Sequence, residues 1–425
     1  MNNNLPPGGT PSSAMEGDTE ARAELRRGLA QLRCVADQQR LFDNLNQISS
    51  LPRPAWHVSA YSLGNAGDYL LVHALQRSLE QALPPWERRL DLISRPCHPP
   101  VGPADMQAFN LSQGVIIGGG GLFLRDTNAN AISGWQFPMS AAQYRALSVP
   151  LAVLAVGYNR FRGQPDFDEV FRDNLNALVE KSCFVGIRNH GSIRRLCTYL
   201  DAALHDKLIF HPCATTILRR LYRFPPRDDA AEPPFIALNC AFDRAELRFG
   251  PRADSILTAL AEVLAGFTPR YGIKYYAHMP ADEHMLPYLQ RAGVRCKLVR
   301  LYNPALVARD FMRLYSAPAL VLGMRGHAQM IPFGCGTPIL SLITHDKLAW
   351  FLEDIGHSEW GVEVTAPDFR SRLHERMSAL LEQEQQVRAQ IDEAQGRLAD
   401  ITRANLSVLY RALRTAAQMR DFEPI

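Results

Sequence analysis

At 425 residues, 47% of them hydrophobic and 21% charged, the chain is too long for one ordinary core and too apolar for a disordered segment. The formal net charge is +3, and the basic residues are spread along the sequence, which argues against nucleic acid as a partner. The eight cysteines lie far apart with no C-x-x-C pair and no zinc-ribbon spacing, so buried, reduced thiols are expected.

Residues 1–18 are rich in Asn, Pro, Gly and Ser and read as a disordered tail with no secretory signature; a cytoplasmic location is expected. Glu20 to Ile48 reads as a leading helix, with leucines recurring on one stripe. The most apolar runs, such as Gly114 to Leu124, fall short of the roughly 20 residues that span a bilayer, which leaves at most peripheral membrane association.

From Trp56 the pattern becomes short apolar runs alternating with amphipathic stretches: WHVSAY, LDLIS, GVIIG, LAVLAVGYN, CFVGIRN and KLIFHP. Continuous apolar runs suit parallel strands covered on both faces, so residues 19–222 predict an open α/β sheet domain. Four prolines and a charge cluster mark 223–234 as a linker. The alternation restarts over 235–366 with FIALNC, IKYYAHM, CKLVRL, ALVLGM and TPILSL, a second sheet domain. Residues 367–425 are helical in composition and too long for one ordinary helix, so a break is expected. That segment packs back across both domains or pairs two copies into a homo-oligomer.

Five groups of residues carry candidate chemistry. Gly64-Asn65-Ala66-Gly67-Asp68 opens the first crossover: either its backbone approaches an anion, or it is a tight turn with Asp68 as a helix cap. Four glycines, Gly118 to Gly121, sit at the carboxyl end of an apolar strand, where open α/β sheets bind ligands; a flexible loop is the alternative. No Walker lysine follows, and Phe123 stands where a dinucleotide fingerprint has Gly or Ala. Arg325 and His327 at another strand end pair an anion clamp with a proton-transfer group, or His327 is structural. Arg188 ends the strand CFVGIRN and meets either an anion or a neighbouring acid. His278, Asp282, Glu283 and His284 match no standard zinc spacing and read as a solvated surface, so no metal is expected.

Taken in order, GNAGD, IIGGGGLF, Arg188 with Ser192, and MRGHAQMIPFGCGTPILSLITHDKLAWFLEDIG resemble the polysaccharide pyruvyltransferase family, over roughly Val58 to Val364. The resemblance implies two Rossmann-like domains facing across a cleft, as in the GT-B architecture, with the donor on the second. It also implies phosphoenolpyruvate as a co-substrate in place of a cofactor, and a sugar acceptor, free or carried on a lipid or nucleotide. Phosphate leaves as a pyruvate ketal forms. Carried over by position, His327 resembles the catalytic histidine, which would be the general acid and then the base for the attacking hydroxyl, while Arg188 and Arg325, with Gly326 between Arg325 and His327, resemble the donor site. Lys347, in His345-Asp346-Lys347, adds positive charge there. Asn65, Asp68, Gly120, Gly121 and His345 are expected to line the cleft or meet the acceptor. The family commonly has Leu at the Gly326 position, Asp at Asn189, and Asp-Pro at His211-Pro212. A nucleotide-sugar glycosyltransferase on the same architecture is the alternative, although Arg325 to Leu340 contains no acid to grip a ribose.

Overall fold

The computed structural model describes residues 54–62, 65–82, 91–224 and 233–421, the last eight by backbone alone. The expected tail, the leading helix Glu20 to Ile48 and most of the linker lie outside the described residues.

Two six-stranded, wholly parallel sheets form the molecule. The first holds β1 (Ala55–Ser59), β2 (Leu92–Pro96), β3 (Val115–Phe123), β4 (Leu151–Tyr158), β5 (Phe184–Ile187) and β6 (Leu208–Phe210) in the order β2-β1-β3-β4-β5-β6. The second holds β7 (Phe235–Asn239), β8 (Gly272–Ala277), β9 (Cys296–Arg300), β10 (Leu320–Gly323), β11 (Ile339–Ile343) and β12 (Gly361–Glu363). Its order, β12-β11-β10-β7-β8-β9, is the dinucleotide-fold arrangement read from the far edge. The apolar runs are the inner strands: β1, β4, β5, β7, β10 and β11 are buried at every residue, whereas the edge strands β2, β9 and β12 are mostly exposed or half-buried.

Each sheet changes winding direction once, between β1 and β3 and between β7 and β10. A crevice opens beyond the strand ends at such a point, because the helices on either side lie on opposite faces. Four helices start near these ends: α1 (Ala66–Ala82), α2 (His190–Cys197), α3 (His327–Gly334) and α4 (Asp346–Ile355).

The C-terminal region breaks at Gln383, between a helix over Phe369–Glu382 and α5 (Glu384–Asp421). Helix α5 lies back over both sheets. Arg388 Nη1 donates to the Gly336 carbonyl (2.7 Å), Asn405 Nδ2 to that of Phe210 (2.8 Å), and Tyr410 OH to that of Leu79 (2.7 Å). Its Val387, Ile391, Ala394, Leu398, Leu406 and Leu409 join one core with α1 and the second sheet. Among the described residues no helix is long and apolar enough to cross a membrane.

Candidate active site

At the first winding change, Asn65 organises the start of α1. Its Oδ1 accepts from the Gly67 amide (3.0 Å) and its Nδ2 donates to Asp68 Oδ2 (2.7 Å). The carboxyl is thereby fixed at the helix entrance and half-buried. Burial lifts it to about 6, against the opposing pull of Lys347, Arg188 and Arg325.

The four glycines beside it are neither a flexible loop nor an open cradle. They belong to β3, which runs through them to Phe123. A Cβ on Gly119 would lie 3.2 Å from the Ala155 carbonyl oxygen and 3.3 Å from Leu71 Cδ1, so these positions are bare to let β4 and α1 approach. Gly120 has φ +99° and is buried. Gly121 is half-buried, and a Cβ there would lie 2.7 Å from Asn159 Nδ2. Packing therefore accounts for most of what sequence reading assigns to ligand approach.

Arg188 follows β5 and is only 6% exposed. It makes no ion pair among the described residues, and its Nε lacks a hydrogen-bond partner. Gly157 makes room for it: a Cβ there would stand 2.7 Å from Nη2. Asn189 caps α2 by accepting from the Ser192 amide (2.6 Å), and Ser192 Oγ in turn accepts from the Tyr158 amide (2.9 Å), which locks the strand end. A buried guanidinium with no acid costs on the order of several kcal/mol, and burial pushes its pKa down. The salt-bridge alternative is excluded among the described residues. The anion alternative stands.

Arg325 is the reverse case. Its Nε and Nη2 grip both oxygens of Asp282 (3.0 and 2.5 Å), and Nη1 pairs with Asp243 (2.8 Å). Asp282 Oδ2 also accepts from the amides of His278 (3.0 Å) and Met279 (3.2 Å). Asp243 is shared with Arg248 (2.9 Å); burial raises its carboxyl, but Arg248, Arg325 and Lys347 together outweigh burial and hold it at about 2. Arg244 reaches Asp243 as well (3.1 Å) and pairs with Asp126 (2.6 Å), so three guanidiniums meet three carboxylates. Arg325 is thus ion-paired on both sides, and the reading of His278 and Asp282 as solvated surface is corrected: both are buried. Glu283 and His284 do face outward, Glu283 paired with Arg300 (2.7 Å) and His284 Nδ1 against the Ala281 carbonyl (2.8 Å).

Lys347, in the first turn of α4, reaches the same cleft from the second half. Its Nζ donates to Asn159 Oδ1 (2.6 Å), an atom that also faces His345 Nε2 (3.0 Å). Burial, then the positive charge of Arg188 and Arg248, pushes the Lys347 ammonium well below its ordinary range against the opposing pull of Asp243. His345 does not line the cleft. It is fully buried, caps α4 and lies 4.2 Å, ring to ring, from Phe161, whose face also carries Arg248. Gly326 is helical (φ −52°), and a Cβ there would stand 3.8 Å from Lys347 Cε, an ordinary contact.

His327 opens α3 with its ring laid against Gly67 of the other half, where any Cβ would collide with it. Its Nε2 is 3.9 Å from Cys213 Sγ. Burial, with Arg188, His278 and Lys347 around it, holds the imidazole well below its ordinary pKa and therefore neutral. That is the state of a base. The structure thus gathers Arg188, His327, Lys347 and Asp68 from both halves at the strand ends, where Arg325 serves as their neighbours' support.

A family model described as polysaccharide pyruvyl transferase matches residues 65–346, the stretch that holds Asp68, Arg188 and His327 and ends one residue before Lys347. The chain belongs to that family. Fold neighbours agree with the two-domain architecture. UDP-GlcNAc 2-epimerase from Neisseria meningitidis bound to UDP-GlcNAc is 12% identical, with TM-score 0.50 over 84% of this chain and 100% of that one. Anabaena Alr3699/HepE in complex with UDP and glucose is 13% identical, with TM-score 0.51 over 87% and 100%. A putative UDP-N-acetylglucosamine 2-epimerase from Listeria monocytogenes is 14% identical, with TM-score 0.50 over 82% and 94%. Such identities speak for the fold alone, and no curated relative matches the chain by sequence.

Sequence reading misses Asn159, Cys213, Asp243 and Arg248, and the pairing of Asp282 with Arg325. Only Asn159 leaves a local signal, a polar residue directly after the apolar run LAVLAVGY. The acids lie far from Arg325 in the chain and meet it only through the β7, β8 and β10 loops.

Proposed function

We propose that the protein transfers pyruvate from phosphoenolpyruvate to two hydroxyls of a sugar in a polysaccharide or its precursor, forming a ketal and releasing phosphate. The observation that carries this reading is the pair Arg188, buried, and Lys347, half-buried: two cations without a carboxylate ion pair among the described residues, beside a neutral histidine. A donor with a phosphate and a carboxylate supplies the missing negative charge, and the α3 and α4 N-termini add partial positive charge. Arg325 acts indirectly, holding the loop that presents His327. The neutral imidazole takes the proton of the attacking hydroxyl, general-base work worth about 10²- to 10⁴-fold in rate.

The test is donor binding followed by turnover. Phosphoenolpyruvate raises the melting temperature, and the rise disappears in Arg188→Met. A shift with sugar nucleotides and none with phosphoenolpyruvate overturns the reading in favour of a glycosyltransferase.

A further inference from the structure

Resting on the phosphoenolpyruvate reading, we infer that Asp68 is the acid that protonates the donor's methylene carbon, working opposite His327 as base. The geometry has three parts. Asp68 is next in sequence to Gly67, whose Cα bears the His327 ring, so carboxyl and imidazole enter one cleft from opposite halves. Asn65 Nδ2 holds Oδ2 at 2.7 Å, while Oδ1 has no hydrogen-bond partner among the described residues. The side chain is half-buried and within electrostatic reach of Lys347, Arg188 and Arg325.

The reaction needs two groups in opposite starting states. In the first half, a sugar hydroxyl oxygen bonds to C2 of the donor and its proton passes to His327. The C2=C3 electron pair takes the proton of the Asp68 carboxyl, and the methylene becomes methyl. The tetrahedral product carries both the sugar oxygen and the phosphate on C2. In the second half, the C2–O bond to phosphate breaks and its electron pair leaves on the bridging oxygen, which takes the proton from the His327 imidazolium. The second hydroxyl oxygen bonds to C2 and gives its proton to the Asp68 carboxylate. Ketal and hydrogen phosphate leave, and each group regains its starting proton state with no help from solvent.

The surroundings suit those states. Lys347, Arg188 and Arg325 face Asp68 and favour its anion, with Cys97 and Cys213 nearby, yet burial keeps a protonated fraction near neutrality. His327, among Arg188, His278, Lys347 and Cys213, starts neutral. An incoming trianion opposes the cations and favours the protonated Asp68 further.

The experiment compares wild type with Asp68→Asn, a near-isosteric change whose retained donor binding reports an intact cleft. Calorimetric titration with phosphoenolpyruvate at pH 7, in buffers of different ionisation enthalpy, counts protons taken up. Phosphate release is then followed with a panel of methyl hexosides. The expected result is donor affinity within about threefold of wild type, uptake reduced by roughly half a proton or more, and phosphate release lowered at least about 100-fold. Unchanged uptake, or turnover within about threefold of wild type, overturns the role of Asp68 and leaves the donor reading standing. Failure of the wild type to bind phosphoenolpyruvate overturns the donor reading, and this one with it.

Discussion

Arg188 and Arg325 stand just past the ends of inner, fully buried strands, β5 and β10, yet their charges have opposite fates. Around Arg325 the loops after β7 and β8 bring Asp243 and Asp282. Around Arg188 the segments after β4 and β6 bring Asn159, His211 and Cys213, none of them an acid, and Asp68 acts on it without forming an ion pair. An arginine at a strand end is therefore a ligand site or a structural tie according to what the flanking loops carry. Its own sequence context does not decide.

The comparison can be broken at either arginine. Arg325→Met strands the buried Asp282 carboxylate, while Asp243 keeps Arg248 and Arg244, and is expected to cost about 3–5 kcal/mol in chemical denaturation. Arg188→Met removes a cation with no acid partner. It should leave the melting temperature level or higher while lowering phosphate release on the order of 100- to 1,000-fold, about 3–4 kcal/mol in the transition state. Equal destabilisation by both substitutions would erase the distinction.

Acid sharpens the Arg325 side. Asp243 sits at about 2, against 3.8 for an ordinary Asp. Its contribution is whole above pH 4 and is lost as the pH falls from there through 2; it amounts to about 2 kcal/mol. The stability difference between wild type and Asp243→Asn should shrink over that window.

Asn159→Ala frees the Lys347 ammonium and should raise KM for phosphoenolpyruvate roughly tenfold, about 1.4 kcal/mol, with kcat less affected. Gly326→Leu, with ordinary space beside Lys347, should change stability by less than about 1 kcal/mol; its effect is to be sought in which hexosides are accepted.

Both sheets are legible in the sequence because inner parallel strands are uninterrupted apolar runs. Only the three-residue edge strand β12 escapes, being too short and too polar to stand out. Much of the site is legible too: Arg188, His327 and Lys347 follow strands whose ends must face one crevice. What escapes is pairing across the fold. Asp282 lies 43 residues from Arg325 in the chain, and nothing local marks their contact. The glycines of β3 mislead for a related reason, since their neighbours are the β4 backbone and Leu71 on α1. His345 misleads because its buried partners, Asn159 and Phe161, come from the other half.

Helix α5 bears on how the molecule is assembled in time. It follows both sheets in the chain, yet it covers apolar surface of α1 and of the second sheet. During synthesis both sheets emerge before the helix that seals them, so their shared apolar seam stays open to solvent until it arrives. The seam is the part of the nascent protein most exposed to wrong partners.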